Sequence, residues 1–463
     1  MTSRRLVLRV TLAMIVVAPT LLYAHARLER TDPPGNSRLT RVPRELRLTF
    51  TEAPEVAVSS LALIGADSQA VALGEIRASA ESSRVLVAPV LGPMREGPYL
   101  VRWRTATADG HPLSGTFTFF IERGAEGLMT PSTSDSPRQA TPLDTAPVAP
   151  PVEASHDTAR SVGYVIIRWV TLASLVLSLA APIFVLLVLP RSWTAGDDLS
   201  RVVVPVTRER VRRLGFVASA TLLLMEIARL SAQSIALNGL TGAMDPSRLG
   251  ALLGRTVWGQ AWLVQTVAAM ALLVTLVVAR RRPTAWKLAL LLCVPLAASA
   301  SLSGHAASSK TGVLLAASLD AVHILGAAAW LGGLAMIVLA AMPALPAMSA
   351  PRAPALSALV NAFSPVALAC GALVVLSGVV AAALNFNSPN ELFATDYGRV
   401  LVIKVALVSI ALGAGAYNWR RVRPALERGA GVDSLHRSGS LELAASVVIL
   451  LVTAILIATP PPR

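Results

Sequence analysis

Over 463 residues, 54% are hydrophobic and only 15% charged, and mean hydropathy is +0.60, which excludes an ordinary soluble chain and points to a membrane protein. The formal charge of +14 does not mark a nucleic-acid partner, because Lys and Arg gather in short segments between apolar runs, as membrane topology requires. Cys293 and Cys370 both fall inside apolar runs, so the polar regions hold no thiols for a disulfide framework.

In chain order, Arg4 and Arg5 precede the run LVLRVTLAMIVVAPTLLYA, which Arg9 interrupts and small residues end, the pattern of an export signal over residues 1–24. Cleavage after Ala26 satisfies the small-x-small rule, whereas cleavage after Ala24 places Leu22 at the usually small position and leaves His25 first. An uncleaved anchor is the third option, since the run approaches the length of a bilayer span.

Residues 25–124 alternate in short strands, among them Leu46, Leu48, Phe50; Leu61, Leu63; Tyr99, Val101, Trp103; and Phe117, Phe119, Ile121. Turn clusters such as DPPGN and GPMREGP separate them, a rhythm that suits a β-sandwich or Greek-key barrel with one apolar core. Residues 125–160 are rich in Pro, Ser, Thr and Ala without an apolar period, the composition of a flexible tether.

From 161 to 463 eight apolar runs reach spanning length, at about 163–189, 214–237, 257–279, 286–303, 312–341, 361–384, 399–417 and 441–458. Arginines crowd the connections after the first, third and seventh runs, and Arg352 follows the fifth, so these loops are expected in the cytoplasm. The N-terminal β-domain and the C-terminus then both face outward, in agreement with the export signal.

Inside lipid an ionisable side chain costs about 2.5–3.5 kcal/mol even on insertion scales, so each one needs a reason. The fifth run contains Asp320 and His323, which share a helical face at i and i+3, where they can bind a cation, relay protons or form a hydrogen-bonded packing pair. His305, in the preceding SGHAASSK connection, is either the entrance to the same path or an ordinary wetted histidine. Glu226 and Arg229 share a face of the second run, where pairing lowers the burial cost of both; this spacing reads as structural support. Scattered Met and Cys residues read as packing, and WLGGL as a site of close helix approach.

The stretch TATADGHPLSGTF breaks the strand alternation with Asp109 and His111. Carboxylate and imidazole suit a divalent metal, with an incidental exposed turn as the alternative. A cleaved chain beginning at His25 adds an α-amine, of reference pKa about 7.7–8.0, and an imidazole on one residue.

At this point the sequence resembles the copper resistance protein CopC joined to the membrane protein CopD, over nearly the whole chain. HARLERTDPPGNSRL, LRLTFTEAPE and GPYLVRWRTATADGHPLSGTFTFFIE resemble CopC, while GHAA, DAVHILGAAAWLGGLA, TDYGRVLVIKVALV, NWRRVRPAL and LELAASVVILLVTAILIATPPP resemble CopD in type and order. The resemblance implies a cupredoxin-like β-sandwich that binds Cu(II) through His25, Asp109 and His111, with Glu52 beside the ligands. Only Met94 lies within the β-domain, so the separate Met-rich Cu(I) site of some CopC proteins is not expected here.

The sequence thus predicts an all-α membrane domain of eight helices behind an exported all-β domain. Captured copper is expected to pass toward His305, Asp320 and His323, and the resemblance implies that it crosses the bacterial inner membrane inward. The partners are the copper ion and the lipid bilayer, without nucleic acid and without enzymatic turnover. No Walker-type motif is visible, so gradients or exchange would drive transport. Two rivals stand beside this expectation: a membrane haem electron-transfer protein or cupric reductase, and a copper chaperone or sensor whose spans only anchor it.

Overall fold

A computed structural model describes residues 28–106, 112–126, 161–192, 198–304, 312–347, 352–386 and 388–459. The expected export signal, the tether from residue 127 onward and the turn at 107–111 lie outside these residues. The chain forms two compact units, one built from the strands together with Gln233–Thr256, the other from Arg160–Ala232 and Val257–Arg463.

The first unit contains β1 (Leu28–Asp32), β2 (Arg38–Arg41), β3 (Glu45–Phe50), β4 (Ser60–Ile64), β5 (Ala70–Val71), β6 (Arg77–Ala78), β7 (Val85–Pro89), β8 (Gly97–Ala106) and β9 (Pro112–Glu126). They form two sheets, ordered β1-β3-β7-β6 and β2-β9-β8-β4-β5. Period-two alternation puts Leu46, Leu48 and Phe50 of one sheet and Val101, Trp103 and Phe119 of the other into a shared core. Phe50 meets Trp103 edge to face, with ring centroids 5.2 Å apart. β9 runs two residues past the boundary expected at 124, because its far end still pairs with β2 through Arg41 and Glu126.

The eight expected spans are all helical: α1 (Val162–Ser192), α2 (Asp198–Gly242), α4 (Val257–Val278), α5 (Ala285–Leu302), α6 (Val313–Ala344), α7 (Arg352–Asn385), α8 (Asp396–Glu427) and α9 (Val432–Ile457), with a shorter α3 (Pro246–Arg255) between α2 and α4. α2 begins well before its apolar run, since Glu209 pairs with Arg212 at 2.7 Å and with Arg213 at 2.8 Å and keeps the polar turns helical. α7 likewise starts early, where Ala355 and Leu356 bury against Val203, Val422, Leu426 and Leu435.

α1 and α6 form the centre of the bundle: 72% and 78% of their most apolar stretches are buried, against 17% for α7 and α8. Gly332 and Gly333 make that packing possible. A Cβ on Gly332 would stand 2.5 Å from the Cβ of Ala180 on α1, and one on Gly333 would stand 2.6 Å from the ring of Phe363 on α7. The expected close approach at WLGGL is therefore observed on two sides of α6, and any larger residue would push both neighbours apart.

Candidate functional site

At one end of the sandwich, four chain segments converge. β1 begins with Leu28 opposite Phe50, and β8 ends with Ala106 opposite Pro112, the first residue of β9. The segment leaving β3 returns to the same end, where Glu55 donates its backbone N–H to the carbonyl of Ala106 at 2.7 Å. Ser59 and the fully buried Thr105 tie the two together through hydroxyls 2.7 Å apart. Glu52 sits half-buried on this segment, two residues past β3. Burial pushes the Glu55 carboxyl above the ordinary carboxylate range. His25, Asp109 and His111 lie outside the described residues; Leu28, Ala106 and Pro112 are strand ends at this same end of the sandwich. Met94 is a core residue, 1% exposed, so its thioether packs rather than facing an ion.

In the helical unit, His323 and Asp320 do not bond to each other. His323 projects onto α7, with Nδ1 3.0 Å from the hydroxyl of Ser377 and the ring beside Gly378. The Ser377 hydroxyl also lies 2.7 Å from the carbonyl of Leu373, an arrangement that matches an Nδ1–H on His323 with Nε2 as the acceptor nitrogen. Asp320, about 10 Å along α6 from Val313, interacts electrostatically with Lys404 and Tyr397 of α8, and Lys404 in turn with His323. The i, i+3 pair read from the sequence is thus one edge of a polar group drawn from three helices. His305 lies outside the described residues.

Glu226 and Arg229 do pair, as expected. The Arg229 guanidinium donates to both carboxylate oxygens of Glu226, at 2.9 and 3.0 Å, to Gln265 at 3.3 Å and to Ser303 at 3.2 Å. Trp262 donates its indole N–H to the backbone carbonyl of Glu226 at 2.9 Å. Glu226 is completely buried and Arg229 8% exposed. A carboxylate this fully matched by a cation and hydrogen bonds is a clamp joining α2 to α4, not an open ligand.

Lys404 and Glu442 went unremarked in the sequence because each sits within a run that is otherwise apolar. The rule that singled out Asp320, a charge inside a span, applies equally to both. Glu442 is 7% exposed and accepts from the side-chain amide of Asn418 at 2.6 Å. Among the described residues no three His, Cys, Asp or Glu side chains come together as a complete metal cage.

Three family models match successive parts of the chain: the CopC domain over residues 28–122, the copper resistance protein D-like N-terminal domain over 157–316, and copper resistance protein D over 357–456. The copper transport protein CutJ of Bacillus subtilis is 24% identical, the match covering 98% of this chain and 77% of CutJ. Protein YobA of Escherichia coli is 27% identical over 25% of this chain and 94% of its own length. Among solved structures, CopC from Methylosinus trichosporium is 23% identical, covering 21% of this chain and 94% of its own, with a TM-score of 0.20. The methionine-rich copper resistance protein PcoC of Escherichia coli is 29% identical, covering 21% and 100% respectively, also with a TM-score of 0.20.

Proposed function

From a chain that joins a CopC domain to CopD-family membrane domains, and so belongs among the copper resistance and transport proteins, we propose capture of Cu(II) outside the inner membrane and inward passage of copper through the helices. Signal cleavage after Ala24 leaves His25 with a free α-amine and an imidazole. Together with Asp109 and His111 it offers the nitrogen and oxygen donors that suit tetragonal Cu(II). Glu52 adds negative charge beside the ion.

The observation that carries this reading is the convergence of Leu28, Ala106 and Pro112 at one end of the sandwich. His25 is three residues from Leu28, a reach of at most about 10 Å. Asp109 is as close in sequence to Ala106, and His111 adjoins Pro112. The copper then moves by way of His305 to Asp320 and His323, whose Nε2 is the imidazole nitrogen open to a metal. Lys404 supplies a tethered positive charge that balances Asp320 between passages. The β-domain and the C-terminus lie on the outer side of the membrane.

Competition between the full-length protein and a Cu(II) chelator tests the capture site. His111→Ala should lose tight binding while the β-domain stays folded by circular dichroism. An unchanged affinity, or a mature chain that begins at Arg27, overturns the assignment.

A further inference from the structure

The second buried carboxylate of the bundle, Glu442, has an unusual setting. It lies about 15 Å along α9 from Val432, toward the arginine-rich end of the bundle and away from Asp320. It is 7% exposed, and its side-chain partner is the neutral amide of Asn418, which donates to it at 2.6 Å. Glu226, by contrast, meets a guanidinium at 2.9 Å. Among the described residues, no charged group on the elements packed around Glu442 forms an ion pair with it. Arg168 of α1 stacks over the Tyr164 ring at 4.7 Å and keeps Nη1 buried without a hydrogen-bond partner among the described residues, Lys404 of α8 interacts with Asp320, and Arg423 of α8 pairs with Glu427 at 3.4 Å. Arg191 of α1, Arg352 of α7 and Arg420 and Arg421 of α8 are exposed, as are Asp433, His436 and Arg437 on α9 itself. C-terminal to His323, α6 carries no charged residue, and its Asp320 lies toward the opposite end of the helix.

A buried carboxylate held only by a neutral amide is stabilised least in its charged form, and a proton removes most of the cost of keeping it in the membrane. The donor set, oxygens alone, is a poor match for copper. Two features open the site to a proton. The other oxygen of the pair, Asn418 Oδ1, is buried and has no hydrogen-bond donor among the described residues, so it is an acceptor at which a proton-carrying water can dock. Asn418 also begins a widened π-helical turn, Asn418–Val422, and Gly415 one turn earlier leaves 3.9 Å between Glu442 Oε1 and the position a Cβ would take.

We propose that Glu442, supported by Asn418, is a proton-exchange site of the membrane domain, taking one proton from water and returning it to water, and that a transmembrane proton gradient acting there drives copper movement. No electrons are transferred. The proton site stands on its own geometry; its coupling to copper rests on the transport reading above.

Two measurements on the full-length protein in phosphatidylcholine vesicles separate these parts. In copper-free infrared difference spectra between acidic and alkaline media, the wild type should show a buried carboxylic-acid C=O band. That band should be lost in Glu442→Gln, moved in frequency in Glu442→Asp and moved again in Asn418→Leu. A band unaltered in Glu442→Gln overturns the proton site whether or not copper is transported. With labelled copper, an imposed pH gradient should accelerate uptake by the wild type and lose its effect in Glu442→Gln, while Cu(II) binding by the β-domain is unchanged. Gradient-dependent uptake that survives Glu442→Gln overturns the coupling.

Discussion

Gly115 shows how tightly a single position is held. It lies opposite Trp103 in the β8–β9 register, and a Cβ there would approach the indole to 2.7 Å. Trp103 is itself pinned by Phe50, so the ring cannot simply swing away. Gly115→Ala should therefore destabilise the β-domain by roughly 1–3 kcal/mol, the usual cost of overpacking a core. Trp103 fluorescence during denaturant unfolding reads the change, and an unaltered midpoint would mean that the sheet relaxes at no cost. His323 is held just as specifically, but by hydrogen bonding: its Nδ1 lies 3.0 Å from the Ser377 hydroxyl, which is itself 2.7 Å from the carbonyl of Leu373.

Between elements, the clamp of Glu226, Arg229, Gln265 and Ser303 gives a sharper expectation. Replacing Glu226 by Gln strands a buried guanidinium, at a cost of roughly 3–5 kcal/mol, whereas changing both residues to neutral groups removes most of that penalty. Thermal unfolding of the two variants in detergent should rank the double change above the single one; equal losses would show that the pair does not act as a unit. The loop helix α3 carries a different signature. Asp245 caps it, and the Ser247 hydroxyl, followed by the amides of Ser247 and Arg248, holds the Asp245 carboxyl below its usual range. A lowered folded value means that the cap contributes fully above the ordinary carboxylate range and is lost as pH falls through the folded value. Hydrogen-exchange protection of Ser247 and Arg248 should fall in that acidic window and become insensitive to it in Asp245→Asn. The spacing of Glu226 and Arg229 made their pairing legible from sequence, because both residues lie on one helix. Ser377, Lys404 and the Asn418–Glu442 pair were not legible in this way, since each acquires its meaning from a partner on another helix.

For the molecule as a whole, hydropathy and alternation sufficed to divide a β-sandwich from eight membrane helices, because burial in a core and burial in lipid impose different periods on the chain. The widened π turns in α1, α6 and α8, and the grouping of Gln233–Thr256 with the strands, left no such periodic trace, as they follow from packing rather than from local preference. Under the proposed function, copper captured by the β-domain is passed to the helical domain. Uptake of labelled copper into vesicles containing the full-length protein measures that passage directly. Asp320→Asn and His323→Ala should each abolish uptake while the β-domain still binds Cu(II). Copper flux at the wild-type rate in both variants would contradict the account.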